Sequence, residues 1–169
     1  MESGWDKVLT WAEARARIEA RRRERPGTRI VFTNGCFDLL HVGHVRYLAE
    51  ARGLGDFLVV GLNSDDSVRR IKEPGRPVNP QDRRAEVLAA LMFVDAVVIF
   101  DQEDPLELIR FLAPDVLVKG GDWPVEKIVG REVVEARGGV VRSIPLIQDA
   151  STTDTIRRIL SLYGHIGRE

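Results

Sequence analysis

The sequence predicts an α/β fold, a doubly wound parallel sheet of five strands with helices on both faces and a further helix at the N-terminus. Three observations lead to this fold class. Short apolar runs alternate with amphipathic stretches, each run is continuous, and 169 residues fit a single domain. Continuous runs are typical of strands buried on both faces of a parallel sheet, and strand–helix alternation implies right-handed crossovers.

The five predicted strands are rich in β-branched or aromatic residues and cover residues 30–32, 57–62, 96–100, 116–118 and 140–141. The predicted helices lie between and after them, at residues 43–52, 64–71, 80–92, 105–112, 125–137 and 152–163. Ligands of such sheets bind at the carboxyl ends of the strands. Residues that directly follow a strand are therefore the candidates for a site.

The N-terminal helix is predicted as an appendage of residues 1–27, followed by the main domain, residues 28–169. Thr10 and Glu13 have the spacing of a capping box at the start of a helix, and Pro26 with the glycine after it would end the helix.

Composition excludes several classes of protein. The chain is 44% hydrophobic, with one cysteine and a net charge of −1. A single cysteine excludes a disulfide framework, and near-neutral charge argues against nucleic-acid binding. No run reaches the ~18 apolar residues of a membrane span and no export signal is visible, so a cytoplasmic protein without a membrane partner is expected. Four lysines stand against 21 arginines, which makes each lysine's position informative.

The segment after the first predicted strand, NGCFDLLHVGH at residues 34–44, carries two of the three histidines. His41 and His44 flank Gly43 where a helix is predicted to begin. Two imidazoles beside the unpaired N–H groups and positive dipole end of a helix make an anion site. Two other interpretations stay open. One histidine caps the helix while the other packs, or both bind a metal, although no third ligand is near.

This segment resembles the signature of the cytidylyltransferase-like nucleotidyltransferases, the His-x-Gly-His superfamily. The likeness extends over residues 28–163 and includes NSD at 63–65, GRPVNP at 75–80, KGGDW at 119–123 and STT at 151–153. It implies a Rossmann-like fold and transfer of a nucleoside monophosphate to a phosphorylated small molecule, with release of pyrophosphate. The KGGD and GRPVNP motifs are similar to those of the adenylyltransferases of ADP-heptose synthesis. These enzymes join AMP from ATP to D-glycero-β-D-manno-heptose 1-phosphate, for lipopolysaccharide core or S-layer glycan precursors.

The resemblance also implies which residues form the site. The catalytic residues would be His41, His44 and Lys119. The nucleotide would be bound by Gly35, Cys36, Phe37, His41, Gly43, His44, Lys119, Asp122, Ser151, Thr152 and Thr153. The acceptor phosphate would be bound by Lys72, Arg76 and Arg84. Two other interpretations stay open, a solvated loop charge for Arg76 and an orienting or salt-bridge role for Arg84. Mg²⁺ would be held through the nucleotide phosphates without a protein ligand, and whether Asp122 contacts ribose, sugar or a metal-bound water stays open.

The expected mechanism is in-line attack by the sugar phosphate on the α-phosphorus of ATP, with no general base because the phosphate is already ionised. A homodimer is expected, and 169 residues leave no room for a sugar kinase, so a separate kinase would supply the substrate. One alternative is a cytidylyltransferase acting on a polyol phosphate such as glycerol 3-phosphate. The related glycerol-phosphate enzymes carry an arginine several residues before Ser151, where this chain has LIQD. The other alternative is a non-catalytic nucleotide-binding module that regulates a partner.

Overall fold

The computed structural model describes residues 4–121, 123–145 and 151–164. The strands within these ranges are β1 (Val8–Leu9), β2 (Ile30–Gly35), β3 (Phe57–Asn63), β4 (Ala96–Phe100), β5 (Val116–Gly120) and β6 (Val140–Ile144). The α-helices are α1 (Trp11–Glu24), α2 (Val42–Arg52), α3 (Asp65–Ile71), α4 (Gln81–Ala89), α5 (Leu106–Leu112), α6 (Arg131–Glu135) and α7 (Thr152–Tyr163). Gly4–Lys7 and Val125–Lys127 form short 3₁₀ helices. No helix in the described part of the chain has the length and apolarity to cross a membrane.

The strands form one parallel sheet in the order β1-β4-β3-β2-β5-β6, which confirms the predicted α/β class. The prediction of five strands was wrong, because the sheet has six. The additional strand is β1, whose Val8 and Leu9 pair with Val97 and Val98 of β4. Two residues are too few to stand out in the sequence as an apolar run. The chain leaves β2 toward β3 on one side and returns to β5 on the other, so the order reverses between β2 and β5.

Helices cover both faces of the sheet, as predicted. In β3, Phe57 and Val59 pack in one core cluster with side chains of α1, α5 and α6. Leu58, Val60 and Leu62 alternate with them and pack in the other cluster, with side chains of α2 and α4. All seven residues of β3 are buried, which explains its continuous apolar run.

The N-terminal helix is part of this core. Thr10 and Glu13 form the predicted capping box at the start of α1. Ala14 and Ile18 are fully buried in the cluster that contains α5. The indole N–H of Trp11 donates a hydrogen bond of 3.0 Å to the carbonyl of Ile99 in β4. The N-terminal segment therefore supplies one strand to the sheet and one helix that packs against it.

The predicted helix 125–137 is divided into the 3₁₀ turn Val125–Lys127 and the short helix α6. Gly130 lies between them with φ of +89°, and a Cβ at this position would stand 2.6 Å from Cδ1 of Ile109 in α5. Glycine thus allows the left-handed turn and the close approach that seats this segment on α5.

Candidate active site

A cavity of about 570 Å³ lies at the carboxyl edge of the sheet, where the strand order reverses. It brings together residues from loops far apart in sequence. The predicted site residues that line it are Gly35, Cys36, Phe37, His41, His44, Lys72, Arg76, Lys119, Ser151, Thr152 and Thr153. Gly43 and Arg84 do not line it, and Asp122 lies outside the described residues.

The two histidines stand at the start of α2, with His41 at the N-cap and His44 in the first turn. Their rings stack with centroids 3.8 Å apart and an interplanar angle of 27°. Neither Nδ1 atom is exposed, and neither has a hydrogen-bond partner among the described residues. His41 makes no side-chain capping bond, and no cluster of three metal-ligating residues occurs in the described ranges. Of the three interpretations, the anion site fits this geometry best.

The pKa values of both imidazoles lie below the usual value, which favours the neutral form at pH 7. Burial, together with the neighbouring His41 ring, lowers the pKa of His44 to about 4. Burial also lowers the pKa of His41. Desolvation disfavours the charged form of an imidazole, and a second imidazole in contact disfavours it further. Each neutral imidazole carries one N–H group that can donate a hydrogen bond to an anion, although the ring itself has no net charge.

Phe37 supports His44 from the side. Its ring meets that of His44 edge-on, with centroids 5.2 Å apart, and its backbone has φ of +43°, in the left-handed region. A Cβ on Gly35 would stand 2.9 Å from the Phe37 ring. Gly35 is thus required for the ring's position, while Phe37 acts through packing. The thiol of Cys36 has a pKa raised by burial, which keeps it protonated and unreactive at neutral pH.

Asp38 ties the histidine loop to residues 72–80. Its fully buried carboxylate accepts hydrogen bonds from Nε of Arg76 at 2.6 Å and from the backbone N–H groups of Val78 and Asn79 at 2.8 and 2.9 Å. Burial raises the pKa of Asp38, but these donors lower it more, so the pKa lies below its usual value. Arg76 borders the cavity, yet its guanidinium is committed to Asp38 and, at 3.4 Å, to Glu73. These contacts hold residues 72–80 against the histidine loop, and binding of the acceptor phosphate by Arg76 stays a prediction.

Arg84 is a second buried side chain that joins separate loops, and it does not line the cavity. Its contact with the acceptor phosphate stays a prediction. Its side chain is 0% exposed. Nη1 donates to the carbonyls of Cys36 and Asn63 at 2.6 and 2.9 Å, Nε donates to the carbonyl of Asn79 at 2.9 Å, and Nη2 pairs with Asp65 at 2.7 Å. The guanidinium joins the histidine loop, the end of β3 and the 72–80 loop behind the cavity wall.

Three of the four lysines border the cavity: Lys72, Lys119 and Lys127. Lys119 stands near the end of β5, and burial, with some contribution from the charge of Lys72, lowers its pKa, against an opposing effect of Cys36. Lys72 is the C-cap of α3. The fourth, Lys7, donates to the carbonyl of Leu91 at 3.3 Å. The scarcity of lysine was the signal that could have led to Lys127, which the sequence reasoning missed.

The start of α7 closes another side of the cavity. Ser151 caps the helix by accepting a hydrogen bond from the N–H of Asp154 at 3.0 Å. The Thr152 hydroxyl donates to the carbonyl of Leu39 at 3.2 Å and so joins α7 to the histidine loop.

Several lining residues were not predicted: Asn34, Tyr47, Asn63, Glu103, Asp104, Trp123 and Lys127. Tyr47 follows His44 by one helical turn, a spacing that could have identified it. Its hydroxyl lies 2.5 Å from that of Thr33 and donates to the carbonyl of Val118 at 3.3 Å, which braces α2 against β2 and β5. Glu103 and Asp104 belong to no recognisable sequence motif. They reach the cavity because the chain segment between β4 and α5 passes along its rim.

The cytidylyltransferase-like family model matches residues 32–158. Among curated proteins, the Bifunctional protein HldE of Citrifermentans bemidjiense is 59% identical over 158 residues, which are 94% of this chain and 32% of that protein. The HldE of Geobacter sulfurreducens is 57% identical over 138 residues, 82% of this chain and 28% of that protein. The chain thus spans about a third of the length of the curated relatives it matches.

Solved structures agree with the fold. The lipopolysaccharide core biosynthesis protein from Thermoplasma volcanium has a TM-score of 0.59 at 27% identity, over 73% of this chain and 100% of that one. Pantothenate synthetase from Thermus thermophilus has a TM-score of 0.58 at 19% identity, over 88% of this chain and 67% of that one, a likeness of fold alone.

Proposed function

Because the chain belongs to the cytidylyltransferase-like family, we propose that it is an adenylyltransferase that joins AMP from ATP to D-glycero-β-D-manno-heptose 1-phosphate. The products are ADP-heptose, a precursor of lipopolysaccharide core or S-layer glycans, and pyrophosphate. The observation that carries the proposal is the stacked histidine pair at the start of α2, in a cavity that Lys72 and Lys119 also line. Relatives at 57–59% identity named HldE and a structural neighbour named for lipopolysaccharide core biosynthesis support the choice of sugar.

The cavity suits direct in-line transfer. An oxygen of the sugar phosphate forms a bond to the α-phosphorus of ATP, and the bond from that phosphorus to the α–β bridging oxygen breaks, so that pyrophosphate leaves with the electron pair. The nucleophile is ionised at neutral pH and needs no base. His41 and His44 donate hydrogen bonds to the phosphate oxygens where negative charge gathers, and the ammonium groups of Lys119 and Lys72 stabilise that charge. Ser151, Thr152 and Thr153 bind the nucleotide at the start of α7.

Magnesium enters this proposal only as a companion of the nucleotide. Residues 4–121, 123–145 and 151–164 contain no group of three His, Cys, Asp or Glu side chains that could hold a metal. We propose that Mg²⁺ is bound through the triphosphate oxygens of ATP. The positive charge that the chain itself supplies is that of its lysines.

Pyrophosphate release, measured for ATP and CTP against heptose 1-phosphate and glycerol 3-phosphate, tests the function. We expect the highest kcat/KM for ATP with the heptose phosphate. A preference for CTP with glycerol 3-phosphate would instead identify a cytidylyltransferase. ATP binding without pyrophosphate release from any pair would identify a non-catalytic regulatory module.

Binding of ATP is expected to be accompanied by proton uptake. The imidazoles are neutral in the free protein, and a polyphosphate beside them favours the charged form, which raises their pKa values on binding. The stability of the complex then increases as pH falls from 7.5 to 6. Calorimetric titration in two buffers of different ionisation enthalpy should show up to about one proton more taken up by the wild type than by His44→Gln. Equal proton counts for the two proteins would contradict the linkage.

The remaining proposals concern the surroundings of the enzyme. The sugar 1-phosphate must come from a reaction that phosphorylates the free sugar, by a kinase on another chain or joined to this one. ATP as substrate supports a cytoplasmic location.

We also propose a homodimer, in which the exposed apolar side chains of α7 (Ile159, Leu160, Leu162 and Tyr163) would be covered. Light scattering of the purified protein measures the mass that decides this point.

A further inference from the structure

Part of the cavity lining has no role in the mechanism above, and we call it the α5 half because it includes Glu103, Asp104 and Trp123. Glu103 and Asp104 line it just before α5, and Trp123 lines it after β5. These two segments lie on the same face of the sheet, because Ile128 packs in the core cluster that contains Ile109 of α5. The histidine pair belongs to α2, on the opposite face. The cavity therefore runs across the carboxyl edge from the α2 side to the α5 side.

Trp123 is the largest side chain in the α5 half, and 51% of it is exposed. Trp11 shows the contrast: it packs against Phe111 with centroids 5.7 Å apart, and its N–H is hydrogen-bonded. An indole in a cavity presents a broad apolar face that gains free energy when a ligand covers it. The face is flat, which suits a ring with axial C–H groups better than it suits a phosphate.

Glu103 and Asp104, which line the same cavity, supply carboxylate acceptors. Asp104 uses Oδ1 to accept the N–H of Leu106 at 2.9 Å, and its Oδ2 accepts no hydrogen bond from the described residues. Within the described ranges, the side chain of Glu103 has one long contact, 3.9 Å between its Oε1 and Nε of Arg70. Carboxylate oxygens accept hydrogen bonds from hydroxyl groups and repel anions. An aromatic face beside such acceptors matches a polyhydroxylated ring whose phosphate points away, toward Lys72 and Lys119.

We propose that the α5 half of the cavity binds the sugar ring of the acceptor, with Trp123 stacked on the ring and Asp104 accepting hydrogen bonds from its hydroxyls. This inference rests on the proposed function and deepens it. The nucleotide occupies the half formed by the histidine loop and the start of α7, and the phosphates meet between the two halves. Trp123 is then a specificity residue that favours a cyclic sugar phosphate over an acyclic polyol phosphate.

The test compares Trp123→Ala, Trp123→Tyr and Asp104→Asn with Met92→Ala, which removes another exposed apolar side chain, 89% exposed and remote from the cavity lining. Trp123→Ala should raise KM for heptose 1-phosphate about tenfold, the equivalent of one lost ring contact, and Asp104→Asn should raise it severalfold. KM for ATP and the inhibition constant of glycerol 3-phosphate should stay unchanged. Trp123→Tyr should recover most of the loss, and Met92→Ala should behave as wild type.

An unchanged KM for the heptose phosphate in Trp123→Ala overturns the inference, as does an equal rise in the constants for ATP and glycerol 3-phosphate.

Tryptophan fluorescence decides the same point without turnover. Heptose 1-phosphate should change the emission of the wild type and leave that of Trp123→Tyr unaltered, and equal changes in both would overturn the stacking. A wild type that transfers no AMP to the heptose phosphate refutes the proposed function, while the fluorescence result still decides the role of Trp123.

Discussion

Replacement of His44 by alanine is expected to lower kcat by ~10²–10³-fold, the usual effect of losing one donor to the charge of a transition state. The reason lies in its surroundings. The half-buried ring packs against His41 and Phe37, and its helix begins at the cavity that it lines. A donor held in so fixed a place does not have to reorganise when charge develops. Steady-state pyrophosphate release at saturating ATP and sugar phosphate measures the loss.

Two variants separate catalysis from folding. Arg46→Ala changes an exposed residue on the same helix and should retain wild-type kcat. His44→Gln keeps an N–H donor and should lose less activity than alanine. Circular dichroism should show all three variants folded. A His44→Ala enzyme with wild-type turnover would remove this residue from the mechanism and, with it, the observation on which the proposed function depends.

Arg84→Ala is expected to be the most destabilising single change considered for this chain, at about 3–5 kcal/mol of unfolding free energy. The substitution removes four hydrogen bonds at once. It leaves the carbonyls of Cys36, Asn63 and Asn79 buried without this donor, and Asp65 without its cation. For a domain of this size the loss corresponds to a Tm lower by roughly 10 °C. Thermal denaturation followed by circular dichroism measures it.

Arg83→Ala is the matched control, because Arg83 is the preceding residue of the same helix and is exposed. Its Tm should lie close to that of the wild type. Arg84→Ala should also lose activity at temperatures where it remains folded, because the carbonyl of Cys36 anchors the loop that carries His41 and His44. If Arg84→Ala had the same Tm as Arg83→Ala, the buried hydrogen bonds of Arg84 would contribute nothing to the stability of the fold.

Sequence patterns predicted the parts of this molecule that depend on neighbours along the chain. The strands buried on both faces appear as continuous apolar runs. The start of α1 is marked by Thr10 and Glu13, and that of α7 by Ser151. The histidine pair was predictable because its two rings are three residues apart on one helix, and Lys119 because it stands near a strand end. Each of these signals is local.

The remaining features depend on contacts between distant residues. The resemblance placed Arg76 and Arg84 at the acceptor phosphate, and no pattern in the sequence indicates the contacts that they make in the fold, Arg76 with Asp38 and Arg84 with three backbone carbonyls. Nothing in the sequence near Arg84 indicates that it crosses to Cys36, 48 residues away. The position of Trp123 likewise follows from the packing of residues 125–130 on α5, which only the folded chain shows.

The two-residue strand β1 has a consequence for the solubility of the fold. Val97 and Val98 of β4 are fully buried, and β1 is the only backbone in the described part of the chain that pairs with the outer side of that strand. Without it, an apolar strand would present open N–H and C=O groups at the sheet margin, where a second molecule can add a strand of its own. By pairing with β4, Val8 and Leu9 prevent this edge-to-edge aggregation, although β1 has only two residues.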